Sequence, residues 1–183
     1  MLGAAKVFDG AVVKNRAIVE DEAQVSGEAR VLESAWVGGR ATITGTSQIF
    51  GMAKLFDEAA VSGDSKLAAN AQVFGQAMIV NSRIYDNARV YGASSVSNSI
   101  VRDNGWVFGK ASLSAESTVR DTAWVEGESS LRTCDVSGTS YLSGKLECVR
   151  SRVCAKSKIS FWHRVYRIQD FVIDECAPPI QIQ

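Results

Sequence analysis

Residues 59–79 read AAVSGDSKLAANAQVFGQAMI, and their spacing decides the fold. Val61, Leu67, Val73 and Ile79 recur every six residues, each with a small residue two places before it: Ala59, Ser65, Ala71 and Ala77. Residues two apart on a strand share a side, so the small and the aliphatic residue point inward together and the one between them points out. Gly63, Gly75 and Asn81, two places beyond an aliphatic residue, tolerate positive φ and turn the chain. Neither a helix nor a simple hairpin sheet has this period.

Toward the N-terminus the same unit runs back through Leu55, Ile49, Ile43, Val37, Val31, Val25, Val19 and Val13 to Val7 without a polar interruption. Beyond Ile79 it continues as Ile84, Val90, Val96, Val101, Val107, Leu113, Val119, Val125, Leu131, Val136, Leu142, Cys148, Val153 and Ile159. Four steps, 79 to 84, 96 to 101, 131 to 136 and 148 to 153, are five residues long, and three, six and three repeats separate them. Multiples of three mean that one corner of a three-sided coil is the one that loses a residue. The predicted architecture is all-β: a single-stranded parallel β-helix of triangular cross-section, about nine coils of 17–18 residues, roughly 43 Å long at ~4.8 Å per rung. Residues 1–160 form the repeat domain and 161–183 a C-terminal cap or tail.

The segments AQVSGEARV (23–31), AAVSGDSKL (59–67), AQVFGQA (71–77) and NARVYGA (87–93) resemble the hexapeptide repeats of left-handed parallel β-helices, and most of all the YdcK-type solenoids of enterobacterial and prophage proteins. The resemblance covers about residues 4–160 and implies left-handed coiling, which the period alone does not give. It implies fold more than function, because such repeats build acyltransferases, γ-class carbonic anhydrases and non-catalytic modules alike.

Composition bounds the partners. Twenty Lys plus Arg balance twenty Asp plus Glu among 183 residues, so no global charge draws the chain to nucleic acid or to an anionic membrane. No run has the length of a bilayer-spanning helix, and the opening MLGAAKVFDG lacks the pattern of a secretory signal, so a cytoplasmic location is expected. Cys134, Cys148, Cys154 and Cys176 match neither a zinc motif nor a dense disulfide framework, and free thiols are expected.

The outward residues differ by face. Face one, around Val7, Val25, Ile43, Val61, Ile79, Val96, Leu113 and Leu131, shows mainly Ser, Thr and Gln. Face two carries Lys14, Arg30, Lys66, Arg83, Arg102, Arg120 and Arg152, with Asp135 its only acid. These cations either pair with corner acids such as Glu28, Glu33, Asp64, Asp86, Asp103 and Asp121, or form a surface for an acidic partner. Face three displays Trp36, Phe56, Phe74, Tyr91, Trp106, Phe108, Trp124 and Tyr141 on successive coils. Such a column calls for a cover: mutual stacking, a homo-oligomer interface, or a protein, glycan or nucleic-acid partner.

Enzyme chemistry finds little footing. Hexapeptide acyltransferases typically use a histidine and γ-class carbonic anhydrases need three, whereas His163 in FWHRVYR is the single one here and reads as a cap residue. Cys148 stands at an inward aliphatic position and reads as an inert core thiol; Cys154 points outward with no histidine nearby. No phosphate loop, nucleophile elbow or paired-carboxylate motif occurs, and neither a cofactor nor a metal is expected. The stretch from Phe161 to Cys176 is open between an amphipathic helix and strands, with Phe161, Trp162, Val165, Ile168 and Val172 the candidates to cover the last coil. The function expected is a non-catalytic solenoid that presents a rigid surface for self-association or a partner, the alternative being an acyltransferase-like enzyme.

Overall fold

A computed structural model describes residues 2–154 and 156–173, and over most of them the chain winds as strands of two or three residues. All pairings among the described residues are parallel and fall into three ladders. Val7, Val25, Ile43, Val61, Ile79, Val96, Leu113, Leu131, Cys148 and Ile168 stand in register on face one. Val13, Val31, Ile49, Leu67, Ile84, Val101, Val119, Val136, Val153 and Ile173 do so on face two. Face three stacks Val19, Val37, Leu55, Val73, Val90, Val107, Val125, Leu142 and Ile159. The fold is an all-β parallel solenoid of about nine turns, of the left-handed type, as the period and the resemblance together imply.

The ladder aliphatics from Val19 to Val153, and the alanines two places before them from Ala23 to Ala123, are buried in one continuous core. Each Val, Leu or Ile placed there contributes about 1.5–3 kcal/mol of burial. Strand N–H groups donate to the following coil, as from Lys6 to the Ala23 carbonyl (2.9 Å) and from Phe8 to that of Val25 (3.1 Å).

The corners explain where serine replaces alanine. At many six-residue corners the small residue's N–H closes the turn on the carbonyl three places back, as Ala71 does on Ala68 (3.3 Å) and Ala88 on Tyr85 (3.1 Å). A five-residue corner has no such carbonyl in reach. There the hydroxyl of the coil below accepts instead: Ser82 N–H donates to Ser65 Oγ (3.2 Å), Ser99 N–H to Ser82 Oγ (3.1 Å) and Cys134 N–H to Ser117 Oγ (3.1 Å). All of these shortened corners join face one to face two, and Asn81, Asn98, Thr133 and Arg150 turn them with positive φ.

The cysteines depart from expectation. Cys134 and Cys148 are joined by a disulfide, and Cys154 is also disulfide-bonded. The 14 residues between Cys134 and Cys148 look distant in sequence. In a coil of 17, however, Cys148 lies three places short of Ser151, whose strand stacks on that of Cys134. Both side chains point into the same coil, and their Cα atoms stand 6.2 Å apart. Cys148 is thus no free core thiol, and Cys154 is buried rather than outward.

The segment after residue 160 continues as strand, not helix. Lys158–Gln169 pairs with Tyr141–Val149, the offset growing from 17 residues at Gly144 and Phe161 to 20 at Leu146 and Tyr166. Ile168 is buried on Cys148 and extends the core, whereas Val165 and Val172 are exposed. The side chains of Phe161, Trp162 and His163 lie outside the described residues, as does Cys176.

Candidate interaction surface

Face three resolves into two parallel columns, set by the residues before and after each inward aliphatic. The first runs Ile18, Trp36, Lys54, Gln72, Arg89, Trp106, Trp124, Tyr141, Lys158. The second runs Glu20, Gly38, Phe56, Phe74, Tyr91, Phe108, Glu126, Ser143, Ser160. The strand spacing of about 4.8 Å is also a ring-stacking distance, so aromatics on consecutive coils lie flat on one another. Phe56 and Phe74 are 4.9 Å apart at 3°, Phe74 and Tyr91 4.7 Å at 1°, and Tyr91 and Phe108 4.9 Å at 4°. In the other column Trp106 and Trp124 stack at 4.6 Å and 2°.

The phenylalanine stack ends where aromatics cross between columns. A Cβ on Gly38 would lie 3.3 Å from Trp36 Cζ2, so the missing side chain makes room for the indole to lean across. Trp36 then lies 5.7 Å from Phe56, and its Nε1–H donates to Glu20 Oε1 at 2.5 Å. At the opposite end Trp124 meets Phe108 edge-on at 76°, and the Tyr141 hydroxyl donates to Glu126. Burial, then this bond, holds the Tyr141 phenol above its ordinary pKa; burial and the charge of Glu126 do the same for Tyr91. Lys54, Arg89 and Lys158 stand over Trp36, Trp106 and Tyr141 at 5.9, 4.9 and 5.9 Å.

The sequence reading placed the eight aromatics on one face, and the structure brings them together as a single cluster. Their mutual stacking leaves seven half-buried, and Trp124 is the one classed as exposed, at 39%. The reading missed Glu20, Gly38, Glu126 and the three cations, although their column positions were available from the register.

Face two is less uniformly basic than its sequence suggests. Asp135 takes two bonds from Arg120, both at 3.2 Å, and lies 3.5 Å from Arg152. That hydrogen bond is the main reason the Arg120 guanidinium holds its proton more tightly than usual. Arg102 approaches Asp103 at 4.0 Å. Lys14, Arg30, Lys66 and Arg83 have no acid within ion-pair distance among the described residues. Of the corner acids, Asp103 and Asp121 pair with face two as expected, Asp121 lying 3.5 Å from Arg120, and Glu33, Asp86, Asp103 and Asp121 each also accept a backbone N–H from the next coil. Among the described residues no three His, Cys, Asp or Glu side chains are grouped to hold a metal ion. No helix among the described residues is long and apolar enough to cross a membrane.

The geometry defines a β-solenoid with one aromatic and one partly basic face. The YdcK β-solenoid repeat matches residues 23–39 and 82–98, each close to one coil and carrying Trp36 and Tyr91 of the aromatic cluster. The chain is similar to that repeat in these two stretches, and no curated protein matches it.

Proposed function

We propose that this chain is a non-catalytic member of the YdcK-type solenoids that works by presenting face three to a partner macromolecule or to a second copy of itself. The observation that carries the reading is the double aromatic column. Its rings are already ordered by stacking, so docking on them sacrifices little side-chain freedom, one of the costs of association. Large aromatics at the centre of a contact give the strongest anchors, each about 2 kcal/mol or more. Replacing Tyr91, Trp106 and Trp124 by Ser should therefore abolish association while the β-rich fold persists. Replacing Arg83, Arg102 and Arg120 by Gln should matter only for an acidic partner, with a loss that added salt reproduces. Retained association in the aromatic variant would refute the assignment; acyl-coenzyme A binding would favour the acyltransferase-like alternative. Localisation belongs to the same proposal. Disulfides persist in oxidising compartments, so the Cys134–Cys148 bond supports folding outside the reducing cytoplasm expected from the sequence.

A further inference from the structure

Trp124 ends the indole stack without a flat neighbour on its far side. Trp124 is covered on one face by Trp106 at 2°, but on the next coil Tyr141 is turned to 67° and tied by its hydroxyl to Glu126 in the other column. Beside Trp124 and Tyr141 lies an open cavity of about 410 Å³, lined by Thr122, Trp124, Thr139, Ser140, Tyr141 and Lys158. We propose that this slot binds one pyranose residue of a glycan, with preference for a sugar that carries a carboxylate.

The lining divides as a sugar ring does. The exposed Trp124 indole offers a flat apolar surface for the C–H face, while Thr122 and Thr139 bring hydroxyl-bearing side chains to the same lining for the ring's polar edge. Thr122 Oγ1–H donates to the Gly138 carbonyl at 3.0 Å, which leaves its oxygen free to accept from a sugar hydroxyl. Lys158, already over the Tyr141 ring, is the one cation in the lining, which selects for an anionic substituent. A nucleic-acid strand would bring a phosphate on every nucleotide to this single lysine, next to Glu126. An aromatic side chain from a partner protein would want a drier socket than one ringed by hydroxyls.

The proposal rests on face three being the binding face, and the test separates the two. Saturation-transfer NMR titrations would compare a glucuronate-containing oligosaccharide, a neutral β-linked glucan oligosaccharide and oligothymidylate. Saturable binding of the acidic oligosaccharide with a Kd of about 1 mM or tighter is expected, at least about tenfold weaker for the neutral one. Trp124→Ser should abolish it, Trp124→Phe should retain part of it, and Lys158→Gln should remove the preference for the acid. Ser112→Ala, at an outward position on face one, should leave sugar binding unchanged. Absence of saturable sugar binding, binding undiminished in Trp124→Ser, or tighter binding of oligothymidylate would overturn the proposal. If sugars fail while Phe74→Ser or Tyr91→Ser still abolishes association, the slot is wrong and the face is right.

Discussion

Replacing Ser82 by Ala should cost far more than one hydroxyl on a surface would. Ser82 is fully buried at the first shortened corner, and its Oγ accepts the Ser99 N–H at 3.1 Å. The same hydroxyl donates to the Val80 carbonyl at 2.7 Å, but that carbonyl also receives the Asn98 N–H at 3.0 Å and keeps a partner when the hydroxyl is gone. The variant therefore orphans one buried donor, Ser99 N–H, for a loss of about 2 kcal/mol within the usual range of 1–3. For a chain of this length that is a fall in Tm of about 4–8 °C. Ser47 is the control: it is equally buried at a six-residue corner and donates to the Gly63 carbonyl at 3.1 Å, which the Thr46 N–H already satisfies at 3.0 Å. Ser47→Ala should cost less than about 1 kcal/mol. Inserting one Gly between Asn98 and Ser99 lengthens that corner to six residues, and should make Ser82→Ala nearly neutral. Calorimetry on the parent, the two serine variants, the insertion and the insertion combined with Ser82→Ala decides the matter, and equal losses at Ser82 and Ser47 would refute the corner argument.

Gly38→Val should push the Trp36 indole off Phe56 and away from Glu20, for a loss of about 1 kcal/mol and a red shift of indole emission as the ring meets water. Reduction of the Cys134–Cys148 bond opens a loop of about 15 residues and should lower stability by about 3 kcal/mol on the chain-entropy account. The double variant Cys134→Ser, Cys148→Val, which installs residue types native to those columns, should start near the reduced value and lose any response of that bond to reductant. The Tyr141 phenol, raised by burial and by its bond to Glu126, contributes stability that is present below its unfolded pKa of about 10 and lost as pH rises through the higher folded value. Ultraviolet titration should show two late phenols, Tyr91 and Tyr141, and one after Tyr141→Phe.

The period of six carried most of the fold, because an inward position recurs at a fixed step wherever a strand is followed by a turn. The slips at 84, 101, 136 and 153 even located the corner that shortens. What they did not carry was the use of Ser65, Ser82 and Ser117 there: in the pattern they are merely small, and only the hydrogen-bond accounting of a five-residue turn distinguishes them from alanine. The disulfide was legible in principle, since in a coil of 17 a separation of 14 brings Cys148 back near Cys134, but the two thiols occupy different positions of the repeat and form no pattern of their own. For the surface, the face of each aromatic was legible, but the lean of Trp36 over Gly38 and the turn of Tyr141 toward Glu126 depend on side-chain torsions. Those two movements decide which rings are covered and leave Trp124 open.

The central claim, that face three is the working surface of a solenoid whose other faces are bystanders, is tested most directly by photo-crosslinking in the cells that make the protein. A benzophenone amino acid would be placed at Gln72 on face three, Lys66 on face two and Ser112 on face one, each at an outward strand position. Covalent adducts formed from position 72, and not from 66 or 112, are the predicted result. Adducts formed equally from all three positions, or from 66 or 112 alone, would contradict the account.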